Sequence, residues 1–470
     1  MTAADPAPDG TAPADEGEAP TAVPLLEPRD GLPPVVDTAE ALDRVVAALA
    51  RGTGPVAVDA ERASGYRYGQ RAYLVQLRRE GSGTALIDPI ALPDLSAVQA
   101  VIGDEEWVLH AASQDLACLA EVGLVPARLF DTELAGRLLG HPRVGLGALV
   151  QTELGLALEK GHSAADWSTR PLPEPWLHYA ALDVEVLVEL RDVLAEQLRD
   201  QGKQEWARQE FAALLDAPGP PPRVDPWRRT SGVHRLRQRR QLATVRSLWE
   251  ARDALARRMD VSPGRVLPDA AIVEAAAAQP PSAEALGALP GFSGRGQRRR
   301  IATWWKAVDA ARQLPDAALP PPAPRADGPP PARAWRDRDP DAAARLDACR
   351  GALRDVADQH GLPVENLLSP DAVRRLAWQP PDPLDAGVVA RFLTERGARV
   401  WQVELTAALL ADALAAAIAA SAASAATADA SPADPAAEEP DGTGAADAAA
   451  QPAVQPAARS RRRRRPPRQV

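Results

Sequence analysis

The chain has 470 residues, 46% of them hydrophobic, and a formal net charge of −10, which is enough apolar material for a core spread over two to four domains. Its two cysteines, Cys118 and Cys349, exclude a disulfide framework; with no CxxC or Cys/His cluster they also exclude a structural zinc site, and they fit a reducing cytoplasm. The 47 prolines are about twice the usual share of roughly 5%, and they gather in stretches that divide the chain.

Residues 1–33 are rich in Ala, Pro, Asp and Glu, are expected to be disordered, and lack the charged start and apolar run of a signal peptide. From 34 to 215 the pattern is mixed α/β. "DTAEALDRVVAALAR" predicts a helix with an acid cap at its start, and "GPVAVDAER", "RAYLVQLRR", "GTALIDPI" and "EEWVLHAAS" predict four strands. Helical periodicity follows, with "QDLACLAEVGL" as one helix and "EPWLHYAALDVEVLVELRDVLAEQLRD" as one long helix. A linker at 216–225 leads to a helical unit at 226–318, where 17 Arg and Lys face 8 Asp and Glu between Pro226 and Asp316. A Pro-rich linker at 319–334 precedes a third unit at 335–415. Residues 416–470 are low-complexity, are expected to be disordered, and end in the basic run "RSRRRRRPPRQV", suited to nonspecific nucleic-acid contact. The Ala-rich run near 405–426 is expected to be a surface helix rather than a membrane span, since Asp412 interrupts it.

The chemistry starts at "VAVDAERASG". Residues i and i+2 of a strand share a face, so Asp59 and Glu61 point the same way. Two parallel carboxylates repel unless a cation lies between them, and a hard divalent ion takes such oxygen ligands. On its own the pair is compatible with a solvated strand end. Asp115 in "HAASQDLACL" and Asp183 in "LHYAALDVEVL" add two acids. Tyr179 lies four residues before Asp183, on the same helical face, and His178 lies five before it. An i,i+4 pair is separated by about 40° around a helix and an i,i+5 pair by about 140°, which favours Tyr179 as the partner.

These residues, with the blocks "ASGYRYGQRAYLVQL", "LFDTELAGRLLG" and "DWSTRPLPEPWLHYAALDVEVL", resemble the DEDD superfamily of 3′→5′ exonucleases, and ribonuclease D within it. The resemblance implies a ribonuclease-H-like α/β domain, a mixed sheet flanked by helices, over 34–215. It implies two divalent ions, Mg²⁺ or Mn²⁺, with Asp59 shared, Glu61 and Asp183 completing one site and Asp115 the other. Tyr179 would orient or deprotonate the attacking water, and nucleoside 5′-monophosphates would be released. Gln76 would lie near the substrate. His110 would support the Asp115 turn, Asp131 would cap a helix, Asp88 would make a turn, and Trp167 and Arg170 are candidate substrate contacts.

The segment "LWEARDALARRMDVSPGRVLPDAAIVEAA" resembles an HRDC domain, and Arg295, Arg298, Arg299 and Arg300 around "LPGFSGRGQRRR" are candidate phosphate contacts. "GLPVENLLSPDAVRRLAW" in the third unit repeats that pattern, as in a degenerate second HRDC-like domain. The implied substrate is RNA, especially tRNA precursors and other structured RNA 3′ ends, with no membrane and no stable protein partner. The alternatives are a DNA-directed exonuclease on the same core and a catalytically inactive HRDC adaptor.

Overall fold

The computed structural model describes residues 22–159, 161–162, 164–217, 219, 223–322 and 328–429; most of the acidic N-terminal stretch and the basic C-terminal run lie outside them. The chain begins with the short strands β1 (Val23–Leu25) and β2 (Val35–Val36), then helix α1 (Ala39–Arg51). Its cap is Thr38, not the preceding Asp37, because the Thr38 hydroxyl accepts the Ala41 N–H at 3.3 Å. Strands β3 (Thr53–Arg62), β4 (Ala72–Glu80) and β5 (Gly83–Ile87) follow as an antiparallel meander. Helix α2 (Ser96–Ile102), strand β6 (Glu106–Leu109), helix α3 (Leu116–Ala120) and strand β7 (Arg128–Asp131) follow, then α4 (Thr132–Leu139), α5 (Leu146–Leu154) and β8 (Leu156–Leu158).

The result is a mixed six-stranded sheet in the order β2-β5-β4-β3-β6-β7, beside a two-stranded β1-β8 pair. β3 is central, with β4 antiparallel on one side and β6 parallel on the other. Val56, Ala57 and Val58 are fully buried because both faces of the sheet are covered. One face is the main core. The other is a smaller cluster in which Leu74, Leu86, Trp167, Ala180 and Ala181 seal helix α6 (Glu174–Glu185) onto the sheet.

The long helix expected over 174–200 is two. Its turns break at Val186, and α7 (Leu187–Asp200) continues before α8 (Gln204–Leu215). The helix expected over 114–124 shrinks to α3, led by a 3₁₀ turn at Ala112–Gln114. Trp167 and Arg170 are spent on structure. Trp167 is wholly buried, and Arg170 forks onto Asp88 at 2.7 and 2.8 Å while donating to the Tyr73 carbonyl.

The basic helical unit has its own core, built by α9 (Arg239–Met259), α10 (Pro263–Val266), α11 (Asp269–Ala278), α12 (Ala283–Gly287), α13 (Arg295–Arg299) and α14 (Ile301–Gln313) around Leu248, Ile272, Phe292 and Trp304. It docks on the loop after β3. There the Tyr68 hydroxyl donates to Asp253 at 2.9 Å and accepts from Arg257 at 3.0 Å. Ser262 donates to the Tyr66 carbonyl at 2.9 Å, and Arg265 lies over the Tyr66 ring.

The last described stretch contains α15 (Trp335–Arg338), α16 (Pro340–His360), α17 (Val364–Leu367), α18 (Pro370–Trp378), α19 (Ala386–Thr394) and α20 (Val400–Asp429). Unlike the basic unit, it shares one continuous core with the sheet domain. Trp401 stacks on Trp206 at 4.7 Å and donates to Glu210, and the Lys203 ammonium joins the Leu138 and His360 carbonyls. α20 is long and apolar enough to cross a membrane, with 28% of its most apolar window buried. Trp401, Leu410 and Leu414 on that helix are buried in the core.

Candidate active site

Strand geometry places Asp59 and Glu61 under α6, and α6 brings Asp183 above them. Oxygens from the three carboxylates lie within 4.8 Å of one another. Asp115 joins from the neighbouring strand's far end. It occupies the N-cap of α3, yet its side chain makes no capping bond; its carboxylate, with 7% of its surface exposed, faces Arg62 at 3.4 Å. N-cap aspartates ordinarily spend their oxygens on the helix, so this one is held for something else.

The turn that presents Asp115 is strained. Ala111 has φ +59°, a left-handed conformation rare outside glycine and asparagine. Asp131 holds it there, accepting the Ala111 N–H at 3.1 Å and the Ala112 N–H at 2.8 Å while also capping α4 through Glu133 and Leu134. The helix cap read from the sequence is therefore also a brace for the acid turn. His110 does not support that turn through Asp115. Its Nδ1 lies 2.9 Å from the Thr132 hydroxyl, and burial pushes its pKa down to about 4, so it is neutral.

Burial raises the pKa of each of the four acids. Asp59, Glu61 and Asp115 are pushed up first by desolvation; Glu61 and Asp115 are pushed further by neighbouring carboxylates, while the Arg62 charge opposes the shift at all three. Asp183 is raised by burial and by Asp59, and a hydrogen bond from Tyr179 counters this. Burial and the surrounding acids hold the Tyr179 phenol well above its ordinary range. Carboxylates so close and so poorly hydrated fit hard divalent cations, which would supply the missing charge through oxygen ligands.

The structure separates Tyr179 from His178. Tyr179 lies one turn before Asp183 on α6, close enough to bear on that acid's pKa, whereas the His178 Nε2 lies 3.8 Å from Glu174, one turn back on the helix. Gln76 sits directly across the ladder from Asp59 and is completely buried, with neither amide atom partnered. Its side chain has no exposed surface. An unpartnered buried amide beside a functional acid suits a supporting role. Arg295, Arg298, Arg299 and Arg300 are not in the acid cluster; they line or adjoin an open hollow on α13 of the basic unit. Sequence reasoning passed over Arg62, whose only signal was adjacency to Glu61.

The family described as 3′-5′ exonuclease matches residues 33–199, the HRDC domain matches 241–308, and a 3′ to 5′ exonuclease C-terminal domain matches 328–414. Ribonuclease D from Gluconacetobacter diazotrophicus is 35% identical over 295 residues, spanning 61% of this chain and 74% of that protein. The chain belongs to the ribonuclease D family. Ribonuclease D from Escherichia coli K12 is 31% identical over 61% of this chain and 77% of its own length. Among solved structures, a Bifidobacterium adolescentis protein superposes with a TM-score of 0.78 at 39% identity, covering 84% of this chain and 99% of its own. E. coli RNase D, described as an exoribonuclease involved in structured RNA processing, superposes at 0.60 with 28% identity over 81% and 98%. The activity of this ribonuclease D family member is that of a 3′→5′ exoribonuclease.

Proposed function

We propose that the chain trims RNA 3′ ends by a two-cation mechanism, releasing nucleoside 5′-monophosphates. The observation that carries this reading is the convergence of Asp59, Glu61 and Asp183 within 4.8 Å, with Asp115 close enough to share its charge with Asp59. Asp59 would be common to both cations, Glu61 and Asp183 would complete one site, and Asp115 the other. Two divalent ions held there, Mg²⁺ or Mn²⁺, would supply the positive charge that activates water and stabilises a leaving 3′-oxyanion. Tyr179, one turn before Asp183 on α6, would orient the attacking water. Gln76 buttresses Asp59 from the adjacent strand.

RNA would be gathered by the arginines of α13, whose charge acts through phosphate and counterion release. The preferred substrates are tRNA precursors and other structured RNA 3′ ends, supported by the described role of the E. coli relative. The C-terminal unit is a divergent second copy of the HRDC module. Its helices of 21, 4 and 9 residues (α16–α18) parallel the 21, 4 and 10 of α9–α11. A cytoplasmic location suits two buried, unpaired cysteines.

The test is trimming of a 3′-extended tRNA and of a matched single-stranded DNA in Mg²⁺ or Mn²⁺, with Asp59→Asn as control. The reading expects RNA shortened one nucleotide at a time and an inert control. No trimming of RNA in either metal would overturn it, and faster trimming of DNA would overturn the substrate assignment.

A further inference from the structure

Arg62 follows the second acid of the pair. Strict strand alternation would turn it to the face opposite Asp59 and Glu61. The β3–β4 register shifts between Glu61 and Arg62, and an irregularity of this kind re-aims a side chain. The guanidinium reaches Asp115 instead, with 24% of the side chain exposed against 7% for the acid. It therefore stands at the mouth of the cluster, where an incoming chain can meet it.

The contact is loose. One nitrogen lies 3.4 Å from one oxygen, whereas Arg170 grips Asp88 with two bonds at 2.7 and 2.8 Å. A two-pronged grip is the stronger and more selective arrangement, and Arg62 has not made one. Among the described residues, Arg62 is also the cation whose charge reaches Asp59, Glu61 and Asp115 alike.

We propose that Arg62 is a substrate-phosphate ligand held in reserve by Asp115: it pairs with that acid when no cation is bound and passes to a phosphate beside the scissile bond when cations take the acids. This rests on the two-cation reading above. Charge supports the exchange. Four carboxylates and one phosphodiester against two divalent ions and one guanidinium leave no net charge, while the same assembly without Arg62 is negative. Arginine, always charged and forked, is the side chain that matches phosphate geometry.

Two measurements separate the halves of the exchange. In calorimetric titration of chelator-treated protein without RNA, Arg62→Gln should bind Mn²⁺ about threefold or more tightly than wild type, since a competing charge is gone. Arg62→Lys should return to wild-type affinity. With a 3′-tailed RNA, Arg62→Gln should raise KM about tenfold, the scale of one lost charge-assisted hydrogen bond, while kcat stays within about threefold. Thermal melts of both variants establish that they fold. Mn²⁺ affinity equal to or weaker than wild type, or an unchanged KM, would overturn the proposal. Failure of wild type itself to bind Mn²⁺ would overturn the two-cation reading instead.

Discussion

At the residue scale, the four acids work against the fold that holds them. A carboxyl whose folded pKa lies above its unfolded value of about 4 takes up a proton on folding. Its contribution to stability is present below that value and is lost as pH rises toward the folded pKa. All four acids are shifted this way, so in chelator the melting temperature should fall as pH rises above about 4. Asp59→Asn or Asp183→Asn should raise the melting temperature in chelator at neutral pH by a few degrees while abolishing trimming. Added Mn²⁺ should stabilise wild type and leave Asp59→Asn nearly unmoved. Scanning calorimetry across pH, with and without metal, reads all three outcomes. The adjacent pair at 178 and 179 makes a second case. Tyr179→Phe should lower kcat by about 100-fold, the span of a lost positioning or acid–base group, and His178→Ala by less than threefold. A severe effect confined to the histidine would reverse the assignment.

At the scale of elements, the acid pair was legible because β3 is long and its period of two fixes which residues share a face. The Tyr179–Asp183 pairing was legible for the same reason on a helix. What the sequence hid was set by tertiary pairing. β1, β2 and β8 are two or three residues long and exist because a partner strand lies beside them. The break at Val186 has no proline or glycine to announce it. Arg62 and Gln76 acquire meaning only from the register between β3 and β4. Asp131 read as a cap, and its second duty depends on Ala111 being brought alongside from another strand. Asp131→Ala should therefore cost more than the usual cap loss of about 1 kcal/mol, reaching about 2–3 kcal/mol by chemical denaturation. It should also weaken catalysis by releasing the Asp115 turn. A loss of stability with kcat preserved would show that the turn holds itself.

At the scale of the whole molecule, the two helical units relate differently to the nuclease. The HRDC domain has a core of its own and meets the sheet domain through the Tyr66–Tyr68 loop. The C-terminal unit completes the main core. Gly140 shows how close that contact is: its φ of +83° is left-handed, and a Cβ there would collide with the Gly361 carbonyl. Gly140→Val should destabilise the protein by roughly 3 kcal/mol, combining backbone strain with the clash. Truncation after residue 322 should yield an insoluble or molten nuclease. Excision of 226–318 with a flexible replacement linker should leave a folded enzyme that trims short single-stranded RNA and handles structured RNA poorly. Solubility and near-ultraviolet circular dichroism of the two deletions decide between these outcomes.

The shared core also sets a timetable. All four acids lie within the first 183 residues, yet the apolar surface that seals their domain is supplied by residues as late as Leu414. On a ribosome adding about 5–20 residues per second, roughly 10–40 s separate the end of the sheet domain from that last piece. The intervening HRDC domain can fold during the wait, being self-contained. The nascent sheet domain thus carries all four acids long before its scaffold closes, and a chain released before residue 414 should lack a working site.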